Sequence, residues 1–207
     1  MQTSQKILIC PLDWGLGHAS RCVPIIYEEL QKGNEVVVAS DGFPLAFLRQ
    51  QFPELRFIEF SSYPVKYSKG NSQFWAMLRF LPQLYREIKH EHSWLEKFLQ
   101  KEHFDVVISD NRFGLWNKNV HSVYITHQIM VKMPRLIRFL EPFGYRLHKR
   151  VVDKYDECWI PDIEENGGLS GDLSHKYPLP KNAKFIGLLS RFSEFKIFWE
   201  MTDMKQL

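Results

Sequence analysis

Apolar positions along the chain fall into two alternating patterns. Between Lys6 and Asp13 stands the run Ile-Leu-Ile-Cys10-Pro-Leu12, closed by Asp13, Trp14 and Gly15, which predicts a short strand buried on both faces. From residue 18 to residue 32 the spacing changes: Val23, Ile26, Tyr27 and Leu30 stand at i, i+3, i+4 and i+7, and Gly33 follows as a C-terminal cap. That is a helix. Glu35-Val-Val-Val-Ala39, ended by Ser40, Asp41 and Gly42, reads as a second buried strand. Strand, helix and strand in immediate succession form a βαβ unit, whose crossover is right-handed in nearly all cases.

The alternation continues with a short helix after Pro44, a strand near 55–60 and a long helix over 74–100 in which Pro82 predicts a kink. Further strands are predicted at 105–109, 122–126, 157–160 and 184–187, with loops at 166–171 and 177–180. Strands alternating with helices predict an α/β fold built on a doubly wound parallel sheet.

Composition adds limits. A chain of 207 residues that is 44% hydrophobic and 25% charged has ample material for one packed core, which excludes a disordered or collagen-like chain. No apolar run approaches the ~18–20 residues of a membrane span, and the polar N-terminus predicts no signal peptide. Cys10, Cys22 and Cys158 have neither metal-ligand nor redox spacing, so buried thiols in a reducing compartment are expected. The net charge of +3 conceals an uneven distribution. Residues 66–101 hold seven basic and three acidic side chains, and residues 132–154 hold seven basic and two acidic, so the remainder of the chain is acidic. Trp75, Leu78 and Arg79 in the first segment, and Arg135, Arg138, Phe139, Arg146 and Arg150 in the second, combine basic with large apolar side chains. That combination on helices predicts a membrane-facing surface.

Ligands of an open parallel sheet bind outside the carboxyl ends of its strands, and that rule selects the candidate residues. The first such loop is Asp13-Trp-Gly15-Leu16-Gly17-His18. Its glycines are expected to let the backbone turn tightly and approach a ligand, and the helix that follows offers unpaired N–H groups to an anion. The partial positive charge of a helix N-terminus favours the neutral ring that a proton acceptor needs, which makes His18 the candidate base. Later strand ends supply Asp110, Asn111 and Arg112, then His127 and Gln128, then Asp162. Arg112 is expected to offer a bidentate contact to phosphate or carboxylate, His127 and Gln128 hydrogen bonds to hydroxyls, and the aspartates either ligand contacts or ordinary turns. A dinucleotide site is the alternative, since Gly15-Leu16-Gly17 begins a G-x-G-x-x-G and Asp41 ends the second strand, but Ser20 occupies the third glycine position. No G-x-S-x-G occurs, and His90-Glu91-His92 reads as the solvated face of the long helix.

The stretch Pro11-Leu-Asp-Trp-Gly-Leu-Gly-His-Ala-Ser-Arg-Cys-Val-Pro24 resembles the first loop and helix of GT-B glycosyltransferases, specifically the MurG-type group and the predicted glycosyltransferases related to it. Val107-Ile-Ser-Asp-Asn-Arg-Phe-Gly114, Tyr124-Ile-Thr-His-Gln128, Trp159-Ile-Pro-Asp162 and Leu169-Ser-Gly-Asp-Leu-Ser-His175 are similar to later stretches of that branch. The resemblance implies a Rossmann-like acceptor-binding domain over 1–187, the N-terminal half of a GT-B fold, with 188–207 as the start of an interdomain linker or a C-terminal tail and with no donor-binding domain. It implies transfer of a hexosyl or N-acetylhexosaminyl group from a nucleotide-sugar, a UDP-sugar by expectation, to a lipid-linked acceptor, without a cofactor or metal. His18 is then the general base, and Gly15, Leu16, Gly17, Asp110, Asn111, Arg112, His127 and Gln128 hold the acceptor or its phosphate.

The implied partners are a glycolipid acceptor, a membrane surface and a separate donor-domain chain, with no nucleic acid, and the implied location is cytoplasmic, peripheral on the inner face of the membrane. Phe192, Phe195, Phe198 and Trp199 would contact the partner chain or fold back on their own domain. His127-Gln128 departs from the MurG pattern, which has a Glu beside the corresponding histidine. Two alternatives of other classes are a stand-alone nucleotide- or dinucleotide-binding protein and a non-catalytic membrane-binding subunit of a split glycosyltransferase.

Overall fold

The computed structural model describes residues 4–62, 73–133 and 135–191, and of residues 73–80 and 136 the backbone only. The expectations for Phe192, Phe195, Phe198 and Trp199, and for the side chains of Trp75, Leu78 and Arg79, lie outside the described residues. Seven parallel strands form one sheet: β1 (Lys6–Pro11), β2 (Glu35–Ser40), β3 (Arg56–Glu59), β4 (Val106–Asp110), β5 (His121–Ile125), β6 (Glu157–Ile160) and β7 (Ala183–Phe185), in the order β3-β2-β1-β4-β5-β6-β7. Every pairing is parallel, with Leu8 opposite both Val37 and Val107 in the centre. The order reverses between β1 and β4, which makes the space beyond Pro11 and Asp110 the switch point where such sheets bind ligands.

Helices cover both faces because alternate strand residues are apolar on both sides. Ile7, Ile9, Val36, Val38, Ile108, Val123 and Ile125 pack with Cys22, Val23 and Ile26 of α1 (Leu16–Gln31) and Leu48 of α2 (Gly42–Gln51). On the opposite face, Leu8, Cys10, Val37, Ala39 and Val107 meet Leu95 of α3 (Gln73–Leu99). Tyr124, Cys158 and Ile160 meet Val152 of α4 (Glu141–Val152). A 3₁₀ turn (Arg135–Leu140) leads into α4, and a four-residue helix, α5 (Asp172–His175), precedes β7. All three cysteines are free and buried, and burial pushes the Cys10 and Cys158 thiols up to about 12. Among the described residues, no helix is long and apolar enough to cross a membrane.

Two local expectations change. Helix α1 begins at Leu16, two residues before His18, because the extended Gly15 takes the cap position and places His18 in the first turn. Helix α3 includes Pro82. Its Glu91 does not face solvent: it is 1% exposed, accepts from the backbone N–H of Gly114 at 2.7 Å and pairs with Arg112 at 3.3 Å. A Cβ on Gly114 would lie 2.7 Å from that of Glu91, so the glycine is what lets the loop after β4 reach α3.

Candidate active site

Three strand ends converge at the switch point through one arginine. Arg21 lies one turn along α1 from His18, and residues three apart share a helix face. Its Nε donates to Asp110 Oδ2 at 3.2 Å and its Nη2 to Oδ1 at 2.7 Å, a bidentate pair with a carboxylate that is fully buried at the end of β4. Nη2 also lies 2.7 Å from His18 Nδ1, and Nη1 lies 2.7 Å from Nδ1 of His127, just beyond β5. His18 Nδ1 is in turn 3.3 Å from Asp110 Oδ1. The cluster therefore joins the helix after β1, the end of β4 and the loop after β5. Burial and the neighbouring Arg21 charge push the His127 pKa down, so this ring stays neutral near pH 7.

Gly15, Leu16 and Gly17 begin α1 beside this cluster, with no side-chain cap and no acidic residue in the first turn. The expected tight turn is not what the glycines supply. Gly15 is extended, and among the described residues a Cβ on either Gly15 or Gly17 would meet nothing within 4 Å beyond its chain neighbours and its own helix. Asn111 adopts a left-handed conformation (φ 57°), which asparagine tolerates, and its Oδ1 lies 3.3 Å from the Tyr124 hydroxyl. Gln128 is half-buried, its backbone N–H bonded to Thr126 Oγ1 at 3.1 Å.

Arg112 is placed differently from expectation. It is 0% exposed, donates to the carbonyls of Pro11 and Phe60 at 3.1 and 3.2 Å, and pairs with Glu91, so its guanidinium ties the core together instead of meeting a ligand. Asp162 is also a loop-holding group. Burial opposes its ionisation, but the Ser170 hydroxyl and the backbone N–H groups of Leu169, Ser170 and Ile163 outweigh that and hold its carboxyl well below the usual range. Asp41, the ribose-binding acid of the dinucleotide alternative, instead caps α2 through the N–H of Gly42 at 2.7 Å and accepts from Ser61.

The basic, apolar surface of the second segment is exposed where the structure describes it: Arg135, Arg138, Arg146 and Arg150 are open to solvent, with Phe139 76% and Phe143 58% exposed. Arg21 is the site residue that composition and strand-end inspection miss. Its spacing from His18 was the available signal.

No family model and no curated protein sequence matches this chain. Among solved structures, the calicheamicin glycosyltransferase CalG4 superposes with a TM-score of 0.59 at 13% identity, over 90% of this chain and 53% of its own. A glycosyltransferase of kitacinnamycin superposes with 0.57 at 14% identity, over 90% and 52%. A Listeria monocytogenes protein assigned as a UDP-N-acetylglucosamine 2-epimerase gives 0.50 at 11% identity, over 88% and 45%. The chain thus spans about half the length of the structures it matches, and it has the Rossmann-like α/β fold of one half of a GT-B glycosyltransferase.

Proposed function

We propose that this chain is the acceptor-side half of a MurG-type glycosyltransferase, which moves a hexosyl or N-acetylhexosaminyl group from a UDP-sugar to a lipid-linked acceptor hydroxyl in combination with a donor-binding domain. The observation that carries the reading is the convergence of His18, Arg21, Asp110 and His127 at the β1/β4 switch point of a GT-B half. Sugar transfer to a hydroxyl needs a group that removes its proton as the bond to the sugar forms. His18 stands in the first turn of α1 with a buried carboxylate behind its Nδ1, the arrangement that stabilises an imidazolium once the proton has arrived at Nε2. Open space at Gly15 and Gly17 supports close approach of the acceptor to the backbone there.

The exposed arginines and phenylalanines of residues 135–150 support a second part of the reading, contact with an anionic membrane that carries the acceptor. Arg112 has no place in acceptor binding; it supports the site from within the core.

The test is reconstitution with a donor half and assay of sugar transfer from UDP-sugars to membrane lipid extracts. His18→Ala is expected to lower kcat by roughly 10²–10⁴, the range for a positioned acid-base group, with the fold retained by circular dichroism. An unchanged kcat removes His18 from the base role. Release of an epimerised free sugar in place of a glycoside would assign the fold to the other chemistry found among its structural neighbours.

A further inference from the structure

A guanidinium has five N–H donors and no acceptor, and it stays charged at any pH a protein survives. Each nitrogen it touches must therefore supply a lone pair. Arg21 uses Nε and one hydrogen of Nη2 on Asp110, the second hydrogen of Nη2 on His18 Nδ1 at 2.7 Å, and one hydrogen of Nη1 on His127 Nδ1 at 2.7 Å. A neutral imidazole that accepts at Nδ1 carries its proton on Nε2. In both rings the contact with Arg21 is made by Nδ1, which puts Nε2 on the far side of the imidazole.

A base needs the opposite tautomer, with the proton on Nδ1 and a lone pair at Nε2. For His18 the acceptor that would hold that proton is already in place: Asp110 Oδ1 at 3.3 Å from Nδ1, only slightly farther than Arg21 Nη2. The two tautomers thus differ by the exchange of one hydrogen-bond partner over a shift of a fraction of an ångström. Among the described residues, the contact given for His127 Nδ1 is Arg21 Nη1 and not a carboxylate.

We propose that Arg21 is a positioning residue that sets the tautomer of both histidines, so that in the free chain each presents a donor at Nε2 and His18 takes up a proton only after its Nδ1 has exchanged Arg21 for Asp110. The consequence for sugar transfer rests on the function proposed above, whereas the tautomer assignment follows from geometry alone. In the free chain the site then offers two imidazole N–H groups backed by a cation. Acceptor binding has to shift the His18 contact before the ring works as a base.

Long-range ¹H–¹⁵N NMR on the full ¹⁵N-labelled chain at alkaline pH, without donor or acceptor, reads the tautomers directly. The wild-type chain is expected to carry the proton on Nε2 of both rings, with ¹⁵N–¹⁵N coupling across the hydrogen bond from Arg21 to each Nδ1. Arg21→Met removes the donors at similar length, leaves Asp110 Oδ1 as the partner of His18 Nδ1, and is expected to invert the major tautomer of His18. A wild-type His18 protonated on Nδ1, or a folded Arg21→Met chain whose His18 keeps its proton on Nε2, overturns the proposal. If Arg21→Met does not fold, the wild-type coupling decides, its presence supporting the assignment and its absence overturning it. No sugar donor enters the experiment, so failure of the transferase reading leaves its outcome standing, and the reverse holds equally.

Discussion

In the function proposed above, Gly15 and Gly17 are dispensable to the fold and matter to the acceptor site. Neither has a left-handed conformation, and among the described residues a Cβ on either would meet nothing within 4 Å beyond its chain neighbours and its own helix. Gly17→Ala, inside α1, should therefore leave stability unchanged or raise it by up to ~0.5–1 kcal/mol, because alanine loses less entropy in a helix. Thermal melting checks that half of the prediction. In the reconstituted enzyme the same methyl group should raise KM for the acceptor, whose approach it blocks; an unaltered KM would show that the acceptor binds elsewhere. His18, Asp110 and His127 could be picked out in the sequence because each follows or ends an apolar strand. Arg112 satisfied the same rule and was misplaced by it, since nothing in its local sequence reveals that Glu91 and the carbonyls of Pro11 and Phe60 enclose it.

At the scale of elements, the contact between α3 and the loop after β4 depends on the buried Glu91. Burial raises its pKa from the usual carboxylate range to about 7, and the Arg112 charge and the Gly114 N–H bring it only part of the way back. The folded chain therefore holds a proton that the unfolded chain releases. The resulting stability is fully present below the unfolded pKa and is lost as pH rises toward 7. At ~1.4 kcal/mol per pKa unit the loss amounts to a few kcal/mol. Unfolding free energies of wild type and Glu91→Gln across pH 4–8 should diverge in that window, the wild type showing the steeper decline; parallel curves would mean that Glu91 is ionised throughout. Gly114→Ala should cost about 1–3 kcal/mol by overpacking against Glu91 and the backbone of α3, read as a lowered Tm.

Strand identity and order along the chain were legible because each strand is a short apolar run, and α1 because its apolar residues keep a 3.6-residue spacing, whereas the four-residue α5 is too short to show a period. The ends were less so, as the start of α1 depends on the backbone of Gly15 and not on apolar spacing. The burial of Glu91 was hidden because its flanking histidines made that turn of α3 look solvated.

For the whole molecule, the function proposed above joins the fold of a GT-B half to the exposed basic, apolar surface around α4, as a protein that works at a membrane with another α/β domain. Each arginine near an anionic surface contributes ~1 kcal/mol, so replacing Arg135, Arg138, Arg146 and Arg150 by glutamine should weaken binding to anionic vesicles by about 10²-fold or more. Cosedimentation measures it, and binding that ignores both the replacement and added salt would remove the membrane face from the account. In the function proposed above, this chain supplies the acceptor side of a sugar transfer. Its most direct measurement is transfer of labelled sugar from a UDP-sugar to a membrane lipid by the chain combined with a donor half. Labelled glycolipid is expected to require both parts and to fall by roughly 10²–10⁴ with His18→Ala. Glycolipid formed equally well without this chain, or with His18→Ala in its place, would contradict it.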